Sequence, residues 1–592
     1  METIVTKADV CIVGGGMAGL IAAISAARHQ ARVVLMQDRP MLGGNASSEI
    51  RMWIRGAAGL ENRETGLLQE IELENIYRNP TMNFSLWDGV LWQKAAEEKN
   101  LTLLMNCACQ ACEMENGRIK SVTGYQGTTQ TMRRVEAGLF LDCSGDSVLA
   151  PLCGAEYRVG REARAEFNES GALEDADQKT MGNTLLFEAR ETDHPCPFIP
   201  PDFAYRYDTD ADMYDKNHDF IHTGVNFWWI ELGGEQDTIR DAETLRDELY
   251  KVAYGVWDHI KNRGDHGAEN YELEWIGILP GKRESRRYVG DVILTQNDLT
   301  QGTPFPDTVA FGGWTMDNHA PEGFRYAGYS SHHITPKVPY PIPYRALYSK
   351  NIENLLFAGR NISATHMALS STRVMATCAV FGQAAGTAAA LCVKFGVTPR
   401  GLYEKHIAAL QQALLLDGCY LPGIARPLPR ETREAEWSLP KDALAVLQNG
   451  WERPHEGQAN KVELPVGEAI SITWPAPQNN TALRLALDPD FSRESIAPGR
   501  VARTFAMRTH IFLNDPPLKL PRGLIKALTL RAFDAEGRET VTKVDDNRRA
   551  LLFLPLPKGA RRAELTFTAV WQGETAGLYA LEAIANEEEA PC

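Results

Sequence analysis

The chain is poor in positive charge: 61 Lys and Arg stand against 77 Asp and Glu, a net charge of −16. A nucleic-acid surface needs clustered cations to neutralise phosphates, so a nucleic-acid partner is excluded. The first apolar run has no basic leader and reads straight into a glycine turn, so no signal peptide is expected. Long apolar runs are also scarce. The nearest to a membrane span is Ala376 to Val393, which is alanine-rich, carries Thr377, Gln383 and Thr387, and barely reaches spanning length. Its small residues, with Gly382 and Gly386 four apart, suit a buried helix packed closely on a sheet, so no membrane span is expected.

The eleven cysteines lie mostly inside apolar strands and helices, which fits a reducing compartment and a cytoplasmic location. Cys109 and Cys112 form a Cys-x-x-Cys near Cys107, but no second pair stands at zinc-ribbon spacing, so they read as core cysteines. Two further metal-like patterns fall short. DTDADMYDKNHD places Asp208, Asp210, Asp212 and Asp219 near EF-hand positions, yet Met213 stands where that loop needs glycine and Asp219 replaces its bidentate glutamate. His218 and His222 share an i, i+4 spacing without the glutamate of HExxH. No metal is expected. There are no internal repeats, and no low-complexity tract beyond the acidic tail NEEEAPC.

What is present is concentrated at the start. In ADVCIVGGGMAGLIAAISAARHQARVVLMQDRPMLGGNAS, an apolar strand (Val10 to Val13) enters a Gly-x-Gly-x-x-Gly turn of Gly14, Gly16 and Gly19. An alanine-rich helix opening with Met17 and Ala18 follows, then a second strand, Val33 to Met36. The glycines serve a tight turn, the approach of a pyrophosphate, and helix-on-strand packing; the helix N-terminus offers N–H groups to phosphate. The order of elements within about thirty residues supports dinucleotide binding. The turn alone does not separate FAD from NAD. At the end of the second strand, where a ribose-binding acid is expected, stand Gln37 and then Asp38 and Arg39. The following loop, with Gly43, Gly44, Asn45, Ser47 and Ser48, suits a backbone lying against a flat ring or an ordinary polar turn.

Two later segments decide more. GLFLDCSGDSV (138–148) is a strand ending in Ser144-Gly145-Asp146, and residues 354–391 run strand, glycine turn at Gly359, polar loop and long small-residue helix. In this order the pieces resemble FAD-dependent oxidoreductases with a glutathione-reductase-type FAD fold. GGNASSEIRMWIRGA, PGKRESRRYVGD, PIPYR and LLFAGRNISATHMALSSTRVM resemble a bacterial FAD-dependent oxidoreductase family over roughly residues 5 to 425. The resemblance implies FAD as cofactor. It places Gly14, Gly16, Met17, Ala18, Gly19, Gln37, Asp38, Arg39, Gly43, Gly44, Asn45, Ser47, Ser48, Arg51, Gly145, Asp146, Gly359, Arg360, Thr372 and Arg373 along it. Arg360 departs from the wider flavoprotein pattern, which has an aspartate there, and is read as a partner for the pyrophosphate.

The fold expected is an α/β FAD-binding domain (Rossmann-like, glutathione-reductase type) with an inserted α+β substrate domain and a C-terminal all-β sandwich. Residues 1–160 and 341–425 form the two parts of the FAD-binding domain, the second with a connector helix, and 161–340 the insert. GIARPLPR reads as a linker. Beyond 430, short alternating segments such as ISITW and AELTFTAVW read as an antiparallel sandwich to residue 592.

A flavin performs hydride chemistry, and the protein places the substrate and supplies a base or acid. His366 is the first candidate for that base, against a histidine that merely bonds a backbone carbonyl. Arg373, Arg286 and Arg345 are candidates for gripping substrate oxygens. Arg51, Arg55 and Asn45 are secondary choices, and Arg283, Glu284 and Arg287 share the charged segment with Arg286. His332 and His333 are adjacent, so at most one reaches the site. The activity expected is oxidation of a secondary alcohol of a sugar or polyol, with a separate electron acceptor, because no second glycine-rich fingerprint follows the first. Reduction of a carbonyl or C=C bond, non-redox use of FAD, and a carbohydrate-binding protein with structural FAD stand as alternatives. An oligomer is left open.

Overall fold

The computed structural model describes residues 2–219, 227–264, 266–479, 481–496, 507 and 512–585. His222 of the histidine pair lies outside them. Two compact units form: Met1–Ala58 with Thr81–Gln411 and Phe505–Pro516, and Gly59–Pro80 with Gln412–Thr504 and Pro517–Cys592.

In the first unit, β1 (Thr3–Val13) pairs in parallel with β2 (Val33–Met36) on one side and β6 (Thr131–Asp142) on the other. Beyond β2 lies β3 (Leu101–Leu104). β4 (Cys107–Glu115) and β5 (Arg118–Gln126) turn at Asn116-Gly117, both with positive φ, and β5 pairs antiparallel with the first half of β6. β7 (Leu355–Phe357) pairs in parallel with Phe140–Asp142, at the far end of β6. Val10 to Val13 are buried as an unbroken run, as a strand covered on both faces requires.

Helices position what surrounds the strand ends. α1 (Met17–Arg28) follows β1 directly. α2 (Ala242–Asn262) gathers Leu249, Val252, Val256 and Trp257 with Phe187, Met213 and Phe227 into a separate apolar cluster. α3 (His366–Thr372) and α4 (Met375–Phe395) follow β7. A Cβ on Gly382 would lie 2.4 Å from the Ala18 carbonyl oxygen, and one on Gly386 2.2 Å from that of Ala22. The paired glycines therefore let α4 lie backbone to backbone on α1. Among the described residues α4 is the one helix long and apolar enough to cross a membrane, and nearly all of it is buried. The ten described cysteines are free thiols.

The second unit holds two antiparallel sheets. One has five strands in the order Glu436–Trp437, Ala469–Gln478, Ala560–Val570, Ile525–Asp534, Glu539–Val544. The other has four: Val462–Pro465, Thr575–Ala585, Thr481–Leu487, Leu551–Pro555. The units divide differently from the sequence expectation. Residues 161–340 do not separate from the rest of the first unit, and the second begins at 412 and takes in residues 59–80. The helix Leu67–Arg78 explains that detour: Glu72 meets Arg493 at 2.6 Å and Glu74 meets Arg548 at 2.7 Å. GIARPLPR is no free linker, since Arg426 is buried between Glu452 and Glu582.

Candidate functional site

The glycine turn, the 43–48 loop and the ends of β6 and β7 meet around the N-terminus of α1. Gly14, Gly43, Gly44, Gly145 and Gly359 all take positive φ. A Cβ on Gly14 would stand 2.5 Å from the Cys143 carbonyl carbon, and one on Gly44 3.0 Å from Gly16 Cα. Gly16 and Gly43 form a β-bridge, and Gly43 N–H donates to Gly15 O at 2.8 Å. No side chain caps α1 and no acid stands in its first turn, so its N-terminal field is left for an anion. Asp142, buried at the end of β6, accepts from Ser144 N–H and Oγ, Leu149 N–H and Tyr288 OH, which fixes the 144–146 turn. Asp146 then lies 2.7 Å from both Lys282 and Arg360. Burial opposes its charge, but these two cations outweigh that and hold its carboxyl well below the usual range.

Behind this cradle is a buried charged core. His366 opens α3, with Thr365 as its N-cap. Its Nδ1 lies 2.9 Å from Glu284 Oε2 and its Nε2 2.9 Å from Asn318 Oδ1. Its backbone N–H donates to Glu162 Oε2 at 2.8 Å. Arg287, fully buried, joins Glu284 to Glu162, reaching the latter at 2.6 Å. Burial opposes the charge of Glu284, while His366 and Arg287 bring its carboxyl below the ordinary value. Glu169 accepts from Thr365 Oγ1 at 2.6 Å through one oxygen and keeps the other buried without a partner; burial raises its pKa. A cavity of about 20 Å³, room for one water, is lined by His366, Glu162, Glu169 and Asn318.

On the other side of Asn318 is a second cluster. His319 Nδ1 lies 2.6 Å from Glu231 Oε2, and Arg283 Nη1 3.3 Å from the same carboxylate. His319 Nε2 comes within 3.3 Å of Asp317, to which Arg373 donates through the backbone carbonyl at 3.0 Å. Ser331 Oγ also donates to Asp317. Arg55, whose guanidinium lies 5.1 Å from the Trp314 ring centroid, interacts electrostatically with Asp317 and Arg373. The Trp228 ring packs edge-on against His319 and against the exposed Tyr329. Three guanidiniums thus face two carboxylates and three aromatic rings. Burial lowers the pKa of Arg283 to about 10. Burial works against Asp317 as well, but its His319 and Arg373 partners hold it well below its ordinary value.

A family profile described as FAD dependent oxidoreductase matches residues 9–414. The chain belongs to this family. It is an enzyme, and FAD is its cofactor. Among solved structures it is similar to a geranylgeranyl bacteriochlorophyll reductase-like protein of Thermoplasma acidophilum (12% identity, 70% of this chain and 86% of that one, TM-score 0.32). It is also similar to the E. coli quinol fumarate reductase FrdA (12%, 70% and 75%, 0.27) and to the anhydrotetracycline hydroxylase OxyS of Streptomyces rimosus (11%, 70% and 67%, 0.31). Likenesses with TM-scores this low carry no argument about chemistry. A search of curated proteins finds no match.

The residues present fit FAD. The uncapped α1 N-terminus faces glycines whose side-chain positions would be blocked, and Asn361 Oδ1, Ser363 Oγ, Thr372 Oγ1 and Arg360 Nε are buried polar atoms with no protein partner. Asn45 donates to Lys282 O, and Ser47, buried, to Gly44 O, so the loop is braced. Ser48 N–H donates to Asp88. Met17 and Ala18 lie in the first turn of α1, and Gly19 is too close to the Gly14 carbonyl to carry a side chain.

Other expected cofactor residues are committed differently. Gln37 is buried, accepts Gly15 N–H at 2.7 Å and donates to Met41 O at 3.0 Å, so its amide braces the turn. Asp38 is exposed, while Arg39 reaches back to Glu49 at 3.4 Å. Arg51 is held by Glu188 at 2.6 Å with Trp275 under its guanidinium. Arg360 lies over Gly145 with one guanidinium nitrogen bound to Asp146, which leaves its Nε for the cofactor.

Of the catalytic candidates, His366 and Arg373 come to the two clusters. His333 faces Asp317 at 3.8 Å, while His332, one residue earlier on the hairpin, turns towards Tyr326. Arg286 contacts the carbonyls of Asp146 and Ser147, on the cradle side. Arg345 is locked bidentately on buried Asp307, at 3.0 and 2.9 Å, and is a structural pair. The reading missed Glu162, Glu169, Glu231, Asp317, Asn318, His319, Trp228 and Trp314. Glu231 had one visible signal, a charge set inside the aromatic run NFWWIEL, where burial demands a partner.

Proposed function

We propose that this enzyme oxidises a secondary alcohol on a small polar substrate, a sugar, polyol or sugar acid, with His366 receiving the hydroxyl proton. The observation that carries this is the meeting, across Asn318, of a carboxylate-held histidine with an arginine- and aromatic-lined cluster. Bound FAD supplies the hydride acceptor. Arg55, Arg283 and Arg373 bind and orient substrate oxygens, the planar guanidinium suiting hydroxyl pairs and carboxylates alike. Trp228, Trp314 and Tyr329 offer apolar faces to carbon-bound hydrogens and exclude water. Substrate hydroxyl replaces Asn318 at His366 Nε2, and Glu284 orients the ring through Nδ1 and steadies its charge after proton transfer.

One observation favours the reverse reaction, reduction of a carbonyl or C=C bond. Both ring nitrogens of His366 face oxygen acceptors, an arrangement satisfied by a doubly protonated ring that can donate.

The wider reading belongs to the same proposal. The parallel core β3-β2-β1-β6-β7 with its antiparallel β4–β6 extension supports a glutathione-reductase-type fold, the α2 cluster supports an inserted substrate region, and the two sheets of the second unit support a sandwich. Free thiols support a cytoplasmic location, and the lone glycine fingerprint supports a separate electron acceptor.

The test is an anaerobic absorption spectrum of the FAD-loaded protein, recorded while sugars, polyols and sugar acids are added. Bleaching of the flavin band by such a compound is the expected result. If none bleaches it, while chemically reduced enzyme is reoxidised by a carbonyl or enoate, the reverse reading holds.

A further inference from the structure

A second site lies at the C-terminal end of α2, built from three separate segments. Asp210 opens a short turn, Asp210–Met213, whose apolar end is anchored by fully buried Met213. His218 follows and is buried, His259 sits buried in the last turn of α2, and His266 comes just after the helix. One ligand atom from each of these four residues lies within 4.8 Å of the other three. His259 Nε2 is 3.1 Å from Asp210 Oδ1 and 3.1 Å from His266 Nε2, and His218 Nε2 is 3.6 Å from Asp210 Oδ1.

We propose that Asp210, His218, His259 and His266 bind one zinc ion. Zinc–nitrogen bonds of about 2.0–2.1 Å at tetrahedral angles set ligand atoms about 3.3 Å apart. These three separations straddle that edge length, and all four ligand atoms lie within 4.8 Å of one another, so the ligands are already spaced for one ion. The back of each buried imidazole is tied in the sense such a site needs. His218 Nδ1 lies 2.8 Å from Lys216 O, and His259 Nδ1 2.9 Å from Tyr207 O. Each Nδ1–H donated to a carbonyl leaves an Nε2 lone pair aimed at the shared point. Three imidazoles and one carboxylate suit zinc and exclude calcium, which takes oxygen ligands. Asp210 is exposed, which gives the ion a way in.

Four protein ligands fill a tetrahedral shell and leave no position for substrate, so the ion is structural. Its consequence is a staple. It ties the 205–219 segment to the end of α2, and that segment in turn carries Lys216, which donates to Tyr326 O and Gly328 O at the base of Tyr329, and Asn217, whose carbonyl accepts from Trp229 Nε1. The ion thus orders one wall of the arginine and aromatic cluster. The expectation of no metal rested on spacings within single segments, which a site assembled from three segments escapes.

The test uses the full-length FAD-loaded protein, free of any affinity tag, stripped with a chelator and then titrated with zinc chloride alone. One tightly held zinc per chain is expected by elemental analysis, with an X-ray absorption edge showing nitrogen and oxygen neighbours at about 2.0–2.1 Å. Zinc should raise the melting temperature of wild type and leave that of His266→Gln unchanged. His259→Gln should hold no zinc. If that variant does not fold, His266→Gln, altered on the half-exposed loop after α2, carries the comparison. Stripped wild type that takes up no stoichiometric zinc would overturn the site and leave a hydrogen-bonded histidine cluster. So would His266→Gln and Asp210→Asn binding zinc as tightly as wild type.

Discussion

His366 Nδ1 and Glu284 Oε2 lie 2.9 Å apart, both groups buried, and Arg287 closes the far side of the same carboxylate. A charge so enclosed acts on its neighbour with little screening. His366→Ala is expected to lower kcat on the order of 10²–10⁴-fold while the flavin band remains. Glu284→Gln keeps the shape but removes the charge that steadies the ring after proton transfer, so kcat should fall while the flavin band is retained. Steady-state kinetics on both variants, beside their melting curves, read this. A loss of kcat in Glu284→Gln matched by an equal loss of folded protein would assign the pair to folding alone.

Asp146 joins the cradle to the acid stability of the fold. Its carboxyl is depressed below the ordinary 3.8 because Arg360 and Lys282 outweigh its burial. The folded state therefore binds fewer protons than the unfolded chain. The stabilisation is present above pH 3.8 and is lost as pH falls below that value towards the folded pKa. Asp146→Asn should melt lower than wild type at neutral pH and show a shallower decline below about pH 4, and it should retain less FAD through gel filtration. Melting curves between about pH 3 and 7 test the sign.

The contact of α4 with α1 makes a third expectation. Alanine at Gly382 or Gly386 would push its methyl into a backbone carbonyl of α1, which no rotamer relieves. Each substitution should cost about 1–3 kcal/mol in denaturant unfolding, more than a helix-propensity gain returns. Because α1 also presents its N-terminus to the cradle, FAD retention should fall with it.

How far the sequence reaches is visible in these same residues. The glycine turn, the Asn116-Gly117 hairpin and the small-residue face of α4 are local patterns, and each is legible because a period or a turn demands its residue types. Glu162, Glu284 and His366 are not related by any spacing, and neither are Glu231, His319 and Arg283. Only the fold brings them together, so the charged segment around Glu284 reads as a solvated face until its burial is known. Arg345 shows the opposite error: an arginine in a family motif that resembles a substrate grip is spent on Asp307. Arg345→Ala should lower the melting temperature, because it leaves that buried carboxylate without a counter-charge, and leave KM unchanged.

In the second unit, the buried Arg426, Arg484 and Glu582 meet the partly exposed Glu452 in a closed group of four, two positive and two negative. Arg426 meets both carboxylates, and Arg484 also ties Leu416 O at 2.9 Å. Such a group gains little over a well-packed apolar core, but taking one member away strands the rest. Glu582→Ala leaves Arg426 and Arg484 against Glu452 alone and should cost about 3–5 kcal/mol, measured as a shift in the unfolding midpoint. The double variant Arg426→Met, Glu582→Leu removes a cation and an anion together and keeps the remaining pair neutral. It should recover most of that loss. If the single variant unfolds at the wild-type midpoint, the four charges are solvated in solution and the second unit is held by its sheets alone.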